Sequence, residues 1–298
     1  MRVFVTGGTG YVGVPVVREL LRRGHSVTLL ARDVSRVPND ISGLVHVVVG
    51  DLADSTALQI GMNQAEAVVH LVGIIRENRR RGITMQAVHV GGTAAVVEAA
   101  RRAKVERFLH MSALGARVGA ISRYHKTKWE AETLVRQSGL KFTIFRPSVV
   151  FGPGGPGESF VQQLASVVRR APVVPILGDG HFLLQPVHTR TVSATFTVAL
   201  EIDSTIGETF DVGGPAVVEY GEIVRRIVDV IGKRRRSLHI PLPIIEAFVR
   251  GATVFGASPL SMDQLTMLKE GSVVTNGERL YRVFGLEPIP FHIAEGDV

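Results

Sequence analysis

The eight residues Thr6–Gly13, TGGTGYVG, decide how this chain is read. They start at the end of the strand-like run RVFVT and open a helical stretch from Tyr11 to Arg23. Gly7, Gly10 and Gly13 fit GxxGxxG, and Gly8, Gly10 and Gly13 also fit GxGxxG. Glycine permits the tight turn and lets the backbone approach a pyrophosphate. The free amides and positive end of the helix then attract it. The motif carries weight only between a strand and a helix, with an alternating unit behind it. It has that setting, so Gly7, Thr9, Gly10, Tyr11, Val12 and Gly13 are expected to form a dinucleotide-phosphate turn.

Outward from the turn, short apolar runs alternate with helical patterns. SVTLLA, VHVVV, AVVHLVG, RFLHMS and KFTIF read as strands, and Met85–Arg102 and Tyr124–Gln137 as helices. Strands this apolar belong to a parallel sheet covered on both faces, and right-handed crossovers make it doubly wound. The organisation changes at FRPSVVFGPGGPGES, a proline- and glycine-rich loop. A helix over Phe160–Arg170 follows, then the turn-rich APVVPILGDG, a strand at TFDVGG and a helix over Tyr220–Ile231. The tail from about Leu238 holds two or three short helices. The expected layout is an α/β Rossmann domain over residues 1–150, with about 178–215 returning to it. A smaller cap takes residues 151–177 and 216–298.

The 298 residues contain no cysteine, so disulfides and thiolate metal sites are excluded. The formal net charge is +7, carried mostly by arginine; lysine occurs only at positions 104, 126, 128, 141, 233 and 269. The basic clusters, among them Arg79–Arg81 and Lys233–Arg236, read as solvated helix ends and loops. No aromatic residues interleave them and no nucleic-acid module is visible, so nucleic acid is not expected as a partner. Ten histidines show no paired metal spacing, and no metal is expected. No signal peptide is read, and a cytoplasmic location is expected. The most apolar stretch, Pro243–Leu260, is interrupted by Glu246 and Arg250, which reads as an amphipathic helix rather than a membrane span.

The strand SVTLLA is followed by Arg32, where an acidic residue would meet a free ribose 2′-hydroxyl. An arginine there can stack on adenine and pair with a 2′-phosphate, with Arg36 assisting. NADP(H) is therefore favoured, with NAD(H) as the alternative. Asp51 and Leu52 would flank the adenine.

Further motifs fall in a fixed order: GDL (Gly50–Leu52), HLVG (His70–Gly73), HVGGT (His89–Thr93), MSALGA (Met111–Ala116), YHKTK (Tyr124–Lys128), FRPSVVFGPG and GDG…PVH (Gly178–His188). In these the chain resembles the extended or atypical short-chain dehydrogenases/reductases, of the NAD-dependent epimerase/dehydratase type. The resemblance covers nearly the whole length. HLVGIIRE, MSALGA and QPVH look nearest to the branch that includes the accessory dinucleotide-binding subunit of respiratory complex I and its bacterial relatives. A lysine four places after a tyrosine means little alone, but Tyr124 and Lys128 stand where that family carries Y-x-x-[ST]-K. The resemblance implies Tyr124 as acid/base and Lys128 as its electrostatic partner and a hold on the nicotinamide ribose. It implies Ser112 as a hydrogen bond to the reacting oxygen. It places Leu71, Val72 and Gly73, and Pro147, Val149 and Val150, along the cofactor. Spacing agrees, since residues four apart share a helix face, and an ammonium beside a phenol is expected to lower the phenol's pKa. His89 stands where extended enzymes carry asparagine, and Thr191 where many carry an acid. His70, His89, His110 and His188 read as structural.

Three functions remain open on these residues. The first is an NADP(H)-dependent oxidoreductase or epimerase acting on an unidentified small molecule. The second is a cofactor-holding assembly protein docked on a larger complex, in solution or at a membrane. The third is a nucleotide-sugar epimerase or dehydratase. Oligomeric state is not legible. The segment IRENRRRG, Ile75–Gly82, reads as a solvated loop, or else as the mouth of the cleft.

Overall fold

A computed structural model describes residues 1–232, 236–254 and 260–298. Three members of the basic cluster read at Lys233–Arg236, and positions 255–259 of the apolar stretch, lie outside the described residues. The first half runs β1 (Arg2–Thr6), α1 (Gly13–Arg22), β2 (Ser26–Ala31), α2 (Asn39–Ser42), β3 (His46–Val49), α3 (Ser55–Gly61), β4 (Ala67–His70), α4 (Gly92–Arg102), β5 (Arg107–Met111), α5 (Arg123–Arg136) and β6 (Lys141–Pro147). Then come β7 (Val150–Phe151), α6 (Phe160–Arg170), β8 (Val174–Leu177), β9 (Leu183–Leu184), β10 (Val187–His188), α7 (Thr189–Val198) and β11 (Thr209–Val212). The chain ends with β12 (Val218–Glu219), α8 (Tyr220–Ile231), β13 (Ser237–Ile240), α9 (Leu242–Val254), α10 (Met262–Glu270) and α11 (Gly277–Phe284).

Seven parallel strands form the main sheet in the order β11-β6-β5-β4-β1-β2-β3. Strand order reverses between β1 and β4, and a crevice at such a point is where an open α/β sheet takes its ligand. Apolar side chains cover both faces. Val16, Val17 and Leu20 of α1 meet Val192 and Phe196 of α7 on one side, and Val96 and Ala100 of α4 meet Phe4 and Phe108 on the other. The doubly wound expectation holds. A second apolar cluster joins α6, β8 and α8, with Val161, Ala165, Ile176 and Ile223 at its centre, and forms the smaller cap.

Three elements differ from the sequence reading. Met85–Arg102 is not one regular helix: Gln86–Gly91 is a wider π-type turn that precedes α4. The turn-rich APVVPILGDG contains β8, which pairs with β13 in the cap. Helix α7 was not read at all. It is rich in β-branched threonine, and Thr195 and Thr197 turn their hydroxyls back onto the carbonyls of Thr191 and Ser193, at 2.7 and 3.2 Å. Packing against α1 overrides its weak local propensity. The tail is shared as well. It was given wholly to the cap, but Leu280 and Phe284 of α11 sit in the core of the main sheet.

No helix among the described residues is long and apolar enough to cross a membrane. In α9, Glu246 and Arg250 pair at 3.7 Å, as the i,i+4 spacing leads one to expect, and Lys269 of α10 meets Glu246 at 3.1 Å.

Candidate active site

The phosphate turn leaves β1 through Gly7, whose φ of +76° suits glycine. A Cβ at Gly13 would lie 2.0 Å from the Gly7 carbonyl oxygen. No other residue fits there without moving the turn. Helix α1 begins with no side-chain cap; in its first turn Pro15 has no N–H, and Val14 and Val16 donate to the carbonyls of Gly10 and Val12, at 3.1 and 3.3 Å. Tyr11 anchors the turn to the loop after β7: its hydroxyl donates to the Gly152 carbonyl at 2.6 Å, and its carbonyl accepts from Gly155 at 2.8 Å.

This turn forms one end of a cleft of about 1660 Å³ between sheet and cap. Every candidate cofactor-binding and catalytic residue named from the sequence lines it. Gly7, Thr9, Gly10, Tyr11, Val12 and Gly13 lie at one end, with Arg32, Arg36, Asp51 and Leu52 beside them. Leu71, Val72 and Gly73 lie just past the end of β4, and Pro147, Val149 and Val150 come from the end of β6 and beyond. Ser112, Tyr124 and Lys128 complete the lining. Ile75, Arg76, Arg81 and Gly82 also line it, so of the two readings of this loop the structure favours the mouth of the cleft.

The order of α5 explains how Tyr124 and Lys128 are held. Its first three amides all have partners. Those of Arg123 and Tyr124 donate to the two Asp263 carboxylate oxygens, at 2.6 and 2.9 Å, and that of His125 donates to Ser122 Oγ at 3.1 Å. A carboxylate at a helix N-terminus is also favoured by the helix dipole. A turn further along, Lys128 is buried, 1% exposed. Its ammonium donates to the carbonyls of Met111 at 3.0 Å and Val72 at 3.4 Å. Gly73 makes room for it, because a Cβ there would lie 3.0 Å from Nζ. Burial lowers the Lys128 pKa to about 8, with Glu132 opposing the shift.

His89 is fixed in one neutral tautomer. Nε2 accepts from the Ile74 amide at 3.0 Å, so Nδ1 donates to Thr127 Oγ1 at 2.8 Å. Burial and the Lys128 charge push its pKa down to about 2. His70 is held between Thr6 and Thr93, at 2.6 and 3.0 Å, and stacks on His110 with centroids 5.4 Å apart. His188 caps α7 by accepting from the Arg190 amide at 3.1 Å. His70, His89 and His188 are held by these partners, as a structural role requires; His110 is fully buried, and neither of its ring nitrogens has a hydrogen-bond partner among the described residues.

Ser112 carries the feature most directly tied to chemistry. It is buried, yet its hydroxyl has no hydrogen-bond partner among the described residues. A buried hydroxyl with no partner in the protein is one that a ligand oxygen in the cleft would satisfy. The expected lowering of the Tyr124 pKa is corrected by the structure. Burial, and then the Asp263 carboxylate, push that phenol up to about 12. Lys128, turned to two backbone carbonyls, does not reverse the shift. The sequence also missed Asp263, which lies 139 residues from Tyr124, and the apolar cap-side lining. Neither has a local signature.

The residues present fit a dinucleotide: a glycine turn that a Cβ would fill, an uncapped helix start and an orphaned hydroxyl share one cleft. A ceramide reductase of Caulobacter vibrioides is 32% identical, over 87% of this chain and 79% of its own. The mitochondrial NADH dehydrogenase [ubiquinone] 1 alpha subcomplex subunit 9 of Arabidopsis thaliana is 27% identical, over 95% of this chain and 73% of its own. Among solved structures, a double mutant of the dTDP-glucose 4,6-dehydratase DesIV from Streptomyces venezuelae, with NAD bound, superposes with a TM-score of 0.74 over all of this chain and 94% of its own. At 20% identity it attests the fold alone. Residues 3–213 match the NAD dependent epimerase/dehydratase family, and the chain belongs to that family.

Proposed function

We propose that the chain is an NADP(H)-dependent oxidoreductase in which Tyr124 exchanges a proton with the oxygen of a carbonyl or alcohol. The unpartnered Ser112 hydroxyl, in one cleft with Tyr124 and Lys128, is the observation that carries this reading. The glycine turn would hold the diphosphate. Arg32 and Arg36 line the same end of the cleft and favour a 2′-phosphate over a bare ribose. The nicotinamide, when bound, supplies a hydride to the carbonyl carbon or accepts one from the alcohol carbon. In the reducing direction Ser112 Oγ donates a hydrogen bond to the carbonyl oxygen. Tyr124 then gives that oxygen its phenolic proton and is reprotonated from solvent. With its pKa at about 12 the phenol is protonated at neutral pH, which suits an acid better than a base. Lys128, one turn along the same helix, is held by the carbonyls of Met111 and Val72 and lines the same cleft, where it would meet the nicotinamide ribose.

The test is a Tyr124→Phe variant assayed against a panel of ketones and followed by nicotinamide absorbance. Turnover should fall by about 10²- to 10⁴-fold while the Kd for NADPH stays within about twofold. Turnover equal to that of the parent would remove the acid role. A lower Kd for NADH than for NADPH would overturn the cofactor preference.

A second reading, a cofactor-holding subunit of a larger assembly, is favoured by the likeness to the plant NADH dehydrogenase subunit along 95% of this chain. It differs in one outcome: Tyr124→Phe would leave its role intact.

A further inference from the structure

We infer that the cap half of the cleft is an alkyl-chain channel, and that the substrate is an amphiphile whose hydroxyl or carbonyl end meets Ser112 and Tyr124. This rests on the reading of the site as an oxidoreductase centre.

The size of the cleft is the first observation. A single ligand site typically measures roughly 300–1,000 Å³. At about 1660 Å³ this cleft holds a second compartment beyond the one the glycine turn and Arg32 define.

Polarity is the second. The sheet-side end carries Arg32, Arg36 and Asp51 among its glycines and apolar residues. The cap side carries Leu164 and Val167 of α6, Leu177 of β8, Ile245 and Val249 of α9 and Met267 of α10, with Gln163, Ser166 and Gln264 as neutral polar groups among them. Among the described lining residues from Pro156 onward, Arg170 is the only cation and Glu158 the only anion. A nucleotide sugar bound there would bring a diphosphate and a ring of hydroxyls, and most of that wall would leave them unpaired. An alkyl chain needs no partners.

The rim is the third. Ile244 and Phe248 line the same cleft but are 59% and 62% exposed. They stand four residues apart on α9, one step before the inward-facing pair Ile245 and Val249, which are 6% and 2% exposed. One helix therefore carries apolar surface continuously from the channel wall to the outside. That geometry suits a molecule entering chain-end first from a micelle or bilayer.

The experiment uses the full chain and separates the two layers of the claim. NADPH binding is titrated first. The protein without cofactor is then titrated with pyrenyldodecanoic acid, and displacement is measured with the series from hexan-2-one to hexadecan-2-one. The inference expects affinity to rise along the series by up to about fourfold per added methylene over its early members and then level off. The double variant Ile244→Ser/Phe248→Ser changes only exposed side chains and so keeps the fold. It should lower affinity for the long ketones about tenfold and leave the shortest unchanged. Leu164→Trp, which fills the channel, should abolish probe binding with NADPH affinity intact.

NADPH binding with no chain-length dependence, or displacement of the probe by UDP-glucose in preference to the long ketones, overturns the channel and leaves the dinucleotide reading standing. Failure to bind NADPH overturns that reading, while the probe titration on the same cofactor-free protein still decides the channel.

Discussion

The sheet-side wall of the cleft carries a buried lysine and a buried serine, with three buried histidines close behind, whereas the cap-side wall is mostly leucine, isoleucine, valine and methionine. The polar groups of the first are mostly committed to partners. Lys128 is fixed by two carbonyls, and His70 and His89 each hold two partners. The second wall makes few directional demands. Rigid polar placement is what proton transfer needs, and apolar breadth is what selects a ligand by shape and hydrophobicity. The fold assigns these tasks to separate layers, so changes in one wall should be readable without changes in the other.

The largest expected effect lies on the polar wall and concerns pH. Because the Tyr124 pKa is raised to about 12, reduction should be nearly flat between about pH 6 and 7.5, where the phenol is protonated throughout and Lys128, with a pKa of about 8, is still charged. Oxidation needs the phenolate and should rise about tenfold per pH unit over that range. An oxidation rate that levels off near pH 7 would break the assignment, because it would require a depressed phenol. Next in size is Gly13→Val. The added side chain meets the Gly7 carbonyl, so a loss of about 3 kcal/mol is expected together with loss of NADPH binding, while the alkyl probe in the cap should still bind if the variant folds. Melting curves and the two titrations check both halves.

Lys128→Met tests the cost of the buried charge. The Lys128 pKa is about 8 in the folded chain, against 10.5 for the ordinary side chain. Below pH 8 both forms are protonated and the burial penalty is fully present. Between pH 8 and 10.5 the folded protein releases the proton first, so the penalty fades as pH rises. The shift is worth about 3 kcal/mol at most, less what the two carbonyls lose with the ammonium. Lys128→Met should therefore melt no lower than the parent at pH 7, and any advantage should vanish by about pH 10. A large drop in Tm at pH 7 would show that the lysine stabilises the fold. The smallest effect belongs to Asp263→Asn, which keeps one acceptor and removes the charge. About 1 kcal/mol of stability should go. The Tyr124 pKa should fall, since Asp263 helps to raise it, and the oxidation profile should shift to lower pH.

The polar wall was far more legible in the sequence than the apolar one. The turn at Thr6–Gly13 advertises itself because strand, glycines and helix are contiguous, and Tyr124 and Lys128 share one helical turn. Arg32 follows its strand directly. The protonation state of Tyr124 was not legible, because it depends on burial and on a carboxylate 139 residues away. Helix α7 was hidden by its threonines, whose local preference is outweighed by α1. The channel was hidden because its lining is drawn from four elements, each of which looks like ordinary core when read alone.

The grip of Asp263 on the amides of Arg123 and Tyr124 bears on how the protein is born. Chains emerge from the ribosome N-terminus first, and their domains tend to condense in that order. Here the helix bearing the tyrosine is tied down only once Asp263 has emerged, 139 residues after Tyr124, and Leu280 and Phe284 then close the core. A polypeptide stalled before α10 would hold its sheet without that clasp on the start of α5.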